Sequence, residues 1–243
     1  MTNHDAILLR KSRRKYRDLP LSNEEREIIE KAITKGNKLG NLSMKLIENR
    51  SDLFGGFFRS YGLLSGVSHF IVMAGPKNDP HLYEKLGYYG EEVVIEATKL
   101  GLGTCWVGGS FNKKAVSDEL VQEQDLLACV IVLGHPLLQP TMREQIIRSI
   151  MHLKKEDQAK FYQTDGSHPD WFMQAMDYVY HAPSAVNQQP VWMLVIQGKM
   201  MAKLRTINHY AWIDLGIAKR HFEYGAPKGK FDLGNNALFH EDH

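Results

Sequence analysis

Three short stretches of the 243-residue sequence carry residue types that could do chemistry. Arg10-Lys11-Ser12-Arg13-Arg14 sets two arginines four positions apart with a hydroxyl between them. If the segment is helical or turned, both guanidiniums can converge on one phosphate, each with a fork of charge-assisted donors, and Ser12 adds a neutral donor. Taken alone, the run reads more simply as a solvated basic stretch near a terminus. His181-Ala182-Pro183-Ser184-Ala185-Val186-Asn187-Gln188-Gln189-Pro190 is a polar loop with a proline near each end, where backbone and short polar side chains can meet a ligand. Helix-stop and turn chemistry accounts for the same residues, and alone it is the favoured reading. Leu100-Gly101-Leu102-Gly103-Thr104-Cys105-Trp106-Val107-Gly108-Gly109 has glycines on both sides of an apolar edge, which lets backbone approach a flat ligand closely. It equally fits a helix C-cap turning into a strand, and it lacks the strand-then-GxGxxG order of a dinucleotide fold.

Other chemistries fare worse. Eleven histidines are present, but no HExxH and no His/Cys group has metal-ligand spacing. His240 and His243 flank two acids and read as a frayed tail. No GxSxG elbow and no GxxxxGK[ST] loop occurs. Cys105, next to Trp106 in an apolar neighbourhood, reads as packing rather than as a nucleophile. Two cysteines cannot make a disulfide framework, which fits a reducing compartment. Thirty basic and 28 acidic side chains balance to +2, so no nucleic-acid partner is implied, and the basic run has no aromatic interleaving to suggest one. No run approaches the roughly 18 apolar residues of a membrane helix, and the opening residues have the wrong order for a secretory signal. A cytoplasmic protein without a membrane partner is expected.

The elements that must position these stretches follow from periodicity. Ser22-Asn23-Glu24-Glu25 has capping-box spacing and opens a helix with Ile28, Ile29, Ala32 and Ile33 on its apolar side. Residues 37–66, including Gly55-Gly56-Phe57-Phe58, read as irregular cover. Residues 69–75 and 127–134 are continuous apolar runs and read as buried strands, with a third strand at 192–198. Between the first two, 83–100 reads as a helix with Val93, Val94, Ala97 and Leu100 on one side. Asp170 is expected to cap another helix bearing Phe172, Ala175, Met176 and Val179 and ending at Pro183. Residues 136–168 look like a crossing segment, and the final forty residues are expected to be partly helical and then loose. A weak repeat at a spacing of 124 matches Val93-Val94 with Ile217-Ala218, Tyr88 with Trp212 and Gly101 with Gly225. Each half then has helices and strands, and a sheet with helices packed on it is the economical arrangement.

Together the three stretches resemble the flavin-dependent nitroreductase family. The likeness runs from Arg10-Lys11-Ser12-x-Arg14-x-Tyr16, through Gly90-Glu91-Glu92 and LGLGTCWVGG at 100–109, to Gly134-His135-Pro136 and APSAVNQQP at 182–190. LGLGTCW together with APSAxNxQP is fairly specific; RxSxR alone is not. In ordinary members the PSAxN loop lies early and two subunits share each flavin site. Here its early counterpart, around Gly36 to Leu42, is degenerate and PSAVN falls late, which looks like the branch in which two nitroreductase-like halves are fused. Val191 stands where the family usually has tryptophan after QP.

The resemblance implies an α+β nitroreductase-like fold: a mostly antiparallel sheet flanked by helices, with two related halves forming a pseudo-dimer. The first half would span 1–165 and the second, shorter half 166–243. It implies FMN as cofactor and NADH or NADPH as electron donor, with a nitroaromatic, quinone or similar small-molecule acceptor. A flavin-binding protein without turnover, for storage or sensing, is the alternative. Arg10, Lys11, Ser12 and Arg14 would hold the phosphate and neighbouring ribityl oxygens, with Lys154 as a further phosphate contact. Trp106, Val107 and Gly108 would line the isoalloxazine edge, and Pro183, Ser184, Ala185 and Asn187 would close the site from the other half. No side chain is assigned as an acid, base or nucleophile, because such a cofactor carries the chemistry. Loops 37–66 and 199–211 would shape the acceptor pocket, and a monomer would suffice because the dimer is fused in one chain.

Overall fold

The computed structural model describes residues 1–54, 64–137 and 158–242. These hold six α-helices: α1 Asn3–Leu9, α2 Asn23–Gly40, α3 Leu82–Lys99, α4 Lys113–Leu120, α5 Phe172–His181 and α6 His209–Gly225. Nine strands accompany them: β1 Lys45–Ile47, β2 His69–Pro76, β3 Gly103–Val107, β4 Asp125–Gly134, β5 Tyr162–Thr164, β6 Val191–Ile196, β7 Lys199–Leu204, β8 Lys230–Phe231 and β9 Ala237–His240.

The expected capping box forms: Ser22 Oγ accepts from Glu25 N at 3.2 Å, and Glu25 Oε2 accepts from Ser22 N at 2.7 Å. Asp170 does not cap α5, whose N-cap position is Trp171 with no side-chain cap bond. Of the expected irregular cover at 37–66, Gly55-Gly56-Phe57-Phe58 lie outside the described residues and the described part contains β1, while the expected loose tail contains β8 and β9, with His240 Nε2 at 2.7 Å from Asp232 Oδ2. These strands are two to four residues long, too short for a period to stand out in sequence. Likewise β7 and the start of α6 occupy the expected loop 199–211.

Two sheets form rather than one, in the orders β1-β2-β4-β3 and β5-β6-β7-β9-β8. All pairings are antiparallel except β5 with β6. Removing β5 leaves the same order twice, β1-β2-β4-β3 and β6-β7-β9-β8, with α2 entering the first, α5 the second, and α3 and α6 in matching places. β4 explains its continuous apolar run by being buried on both faces. Ala128, Ile131 and Leu133 pack toward α2 and α3, while Leu127, Val130 and Val132 pack with Phe54, Phe111 and Val116.

The halves meet along α3 and α6. A Cβ on Gly87 would lie 2.0 Å from the Ile213 carbonyl oxygen, and one on Gly216 would lie 1.9 Å from that of Glu84. The contact is reciprocal: 216 − 87 and 213 − 84 are both 129, so equivalent positions on the two helices are 129 apart. The spacing of 124 read from apolar matches therefore differs from the one the packing sets. Amphipathic helices match one another at several shifts, whereas close backbone contact fixes one.

Candidate functional site

Arg10 is the residue at which α1 ends, and beyond it the chain is extended, not helical. Ser12 forms a parallel bridge with Thr104, and Arg13 N donates to Thr104 O at 2.8 Å, so the basic segment lies along β3. In an extended chain alternate residues share a face. Arg10, Ser12 and Arg14 therefore converge by a period of two, where a helical turn was the expectation, and Lys11 is exposed. The convergence is visible at the Cys105 thiol. Burial raises its pKa, while the charges of Arg14 and Arg10 and a hydrogen bond with Ser12 act the other way. Cys105 is thus a buried packing thiol, and Cys129 is buried as well.

The Arg10 side chain is only 10% exposed. Its Nη2 donates to His181 O at 3.2 Å, at the end of α5 just before the 182–190 loop. Its Nε lies 3.9 Å from Glu91 Oε1 and has no hydrogen-bond acceptor. Five N–H donors with one hydrogen bond leave capacity for an anion. Burial lowers the Arg10 pKa, partly offset by Glu91, but a guanidinium stays charged.

Glu91, fully buried in α3, is the hub of this region. It accepts from Trp106 Nε1 at 3.0 Å and lies 3.0 Å from His221 Nε2 of α6, whose Nδ1 lies 2.9 Å from Tyr178 O of α5. One carboxylate thus joins the end of α1, strand β3 and both second-half helices. The Trp106 indole is turned inward against α3, where Gly90 makes room for it. Val107 is buried, leaving the backbone of Val107 and Gly108 at the strand's end.

The second half supplies the facing wall. Tyr210 Oη donates to Gly108 O at 3.2 Å, and a Cβ on Gly108 would lie 2.6 Å from the Tyr210 ring. Four residues on, one helical turn along the same face, Asp214 takes the Ala185 N–H on both oxygens at 3.1 Å. Ser184 Oγ accepts from Gln189 N at 2.8 Å, and Asn187 N donates to Ser184 O at 3.1 Å. Pro183 and Ser184 border a small cavity closed by Phe161, Val179, Val191 and Asp214.

The three sequence stretches are therefore brought together around α3 and α6. Lys154 lies outside the described residues. Glu91 entered the sequence reading only as part of a motif block, and Asp214, His221 and Tyr210 were missed. For Glu91 and Asp214 a signal existed: an acid inside an apolar helical run, Gly90-Glu91-Glu92-Val93 and Ile213-Asp214-Leu215, is a residue that goes inside only with a partner. The geometry offers an anionic group one underused buried guanidinium, a hydroxyl, and a wall of backbone and short polar side chains. Among the described residues, no group of His, Cys, Asp and Glu is arranged to hold a metal, and no helix is long and apolar enough to cross a membrane.

Residues 3–226 match the family described as "Putative TM nitroreductase". Among solved structures, a "putative nitroreductase" from Thermotoga maritima is similar over 98% of this chain and 92% of its own, with 21% identity and a TM-score of 0.65. An FMN-dependent nitroreductase from Clostridium difficile shares 22% identity over 56% of this chain and 88% of its own, with a TM-score of 0.46. Nitroreductase A from Vibrio parahaemolyticus shares 19% identity over 58% of this chain and 71% of its own, with a TM-score of 0.47. No curated protein matches the chain.

Proposed function

We propose that this chain, which belongs to the nitroreductase family and is an oxidoreductase, works with FMN and passes hydride from NADH or NADPH to a nitroaromatic, quinone or similar acceptor. The observation that carries the reading is Arg10. It is buried where the two halves meet, holds one hydrogen bond, and keeps an Nε with no acceptor. A phosphate dianion would satisfy those donors, with Ser12 and Arg14 on the same face of the extended segment. The backbone of Trp106, Val107 and Gly108 would border the flavin ring edge, and Pro183, Ser184, Ala185 and Asn187 would close it from the second half. Lys154 remains part of the proposal as a further phosphate contact. When bound, FMN supplies the hydride chemistry; the protein binds, orients and shields it.

The two sheets with one strand order support the fused reading, in which residues 1–165 and 166–243 stand in for two subunits, with β5 of the first part pairing into the second sheet, and a single chain, placed in the cytoplasm, holds the site. The decisive measurement is the absorbance spectrum of the purified protein. Flavin bands close to one per chain, bleached on adding NADH or NADPH under nitrogen, are expected. A colourless protein that takes up no FMN on titration would sink the proposal.

A further inference from the structure

Asp214 sits in α6 between Ile213 and Leu215 and is 5% exposed. Its carboxylate is bonded to the Ala185 N–H, which opens the short 3-10 turn Ala185–Asn187. That loop is strained: Val186, Asn187 and Gln189 hold φ of 44°, 58° and 45°. A β-branched residue is out of place there, and such conformations persist only where the surroundings over-determine them. Bonds of Ser184 with Gln189 and Asn187, of Gln188 N with Ala185 O at 3.0 Å, and of Gln189 Nε2 with Tyr180 O at 3.3 Å hold the loop to itself and to α5. The bond to Asp214 ties it to α6, the helix that also presses Tyr210 on Gly108.

We propose that Asp214 is a positioning residue: from α6 its carboxylate latches the 184–189 loop in this strained form and so keeps the second-half wall of the site in register with the end of β3. What the latched loop serves rests on the flavin reading above; the latch itself does not.

A latch of this kind responds to pH. Burial raises the Asp214 pKa to about 7, with the Glu91 charge from α3 adding to the rise and the Ala185 N–H opposing it. From β4 the Cys129 thiol faces it; burial, helped by the Asp214 charge and opposed by Lys113, pushes that thiol up to about 12, so Cys129 stays neutral while Asp214 titrates. An N–H bond to an ionised carboxylate is stronger than one to a neutral acid. The loop therefore tightens as pH rises through about 7. Global stability runs the other way. The folded pKa lies above the ordinary 3.8, so the folded state keeps a proton that the unfolded chain has lost, and this contribution fades as pH climbs toward 7.

The test is amide hydrogen exchange on the full chain without added flavin, for wild type, Asp214→Asn and Asp214→Ala, from about pH 5.5 to about pH 8.5 and corrected for intrinsic rates. In wild type, protection at Ala185 and the following loop amides should rise several-fold through about pH 7. Asp214→Asn keeps the shape and a neutral acceptor, so its protection should be intermediate and flat with pH; Asp214→Ala should be lowest throughout. A flat wild-type profile, or variants as protected as wild type, would overturn the latch. FMN titrations on the same three proteins should follow the same order and the same pH course. Loop protection that behaves as expected in a wild-type protein that takes up no FMN would uphold the latch and defeat the flavin reading.

Discussion

Glu91 in α3 faces Arg10, Trp106 and His221, while its counterpart in α6, Arg220, faces Glu92, Glu223, Tyr88 and Tyr224. Asp214 holds a strained loop, while its counterpart Lys85 is spent on Asp79 at 2.7 Å. The loops differ in the same sense. In the second half nine residues, 182–190, separate α5 from β6, and three of them are left-handed. In the first half only four, 41–44, separate α2 from β1. Asn37 pins both backbone groups of Met44, the Met44 methyl fills the space that Gly36 leaves open, and the Tyr89 ring fills that at Gly40. Arg220 also keeps a buried Nε without an acceptor, but its remaining nitrogens are matched by carboxylates and a tyrosine hydroxyl. One plan thus yields a cluster with several unmet donors beside a strained loop, and a cluster that its own side chains largely satisfy.

The sharpest way to break that comparison is to count flavins. The Arg10 cluster keeps more unmet donors than the Arg220 cluster and lies beside the longer loop, so native mass spectrometry should find one FMN on a monomeric chain. Two flavins per chain, or flavin seen only on a dimer, would contradict the asymmetry. Next in size is the glycine pair on which the pseudo-symmetry rests. Gly87→Ala and Gly216→Ala each drive a methyl group into a carbonyl oxygen of the facing helix, and overpacking of this kind costs about 3 kcal/mol at its upper range. Both variants should lose stability by similar amounts in thermal unfolding, although alanine is the better helix former. A large loss at one position and none at the other would show that the helices are not equivalent. Smallest is the arginine pair. Arg10→Ala should weaken FMN binding about ten- to a hundred-fold, from a charge-assisted bond worth about 1.5–3 kcal/mol. Arg220→Ala should leave FMN affinity unchanged and lower the melting temperature instead, and equal effects on affinity from both would erase the distinction drawn here.

The elements with strong periods were legible in the sequence. The capping box at Ser22, the two apolar strands of the first sheet and the helices α2, α3 and α5 stand close to where their patterns put them, because side-chain burial on a helix or a central strand leaves a local repeat. So were the three stretches that the fold brings near one another at the candidate site, whose residue types suggested their chemistry. What the sequence could not set was anything decided by two segments far apart in the chain. β1, β8 and β9 exist because neighbouring strands pair with them, not because a few residues prefer to be extended. The register between the halves is fixed by two glycines packed against carbonyls about half a chain away, a contact that leaves no trace in apolar matching. Whether Arg10 and Arg14 converge depends on the pairing of Ser12 with Thr104, which turns a spacing that suits a helix into the alternation of a strand. Glu91 and Asp214 carry the same kind of lesson: the sequence marks them as acids in apolar company, but only the folded chain supplies the Trp106, His221 and Ala185 groups that make their burial possible.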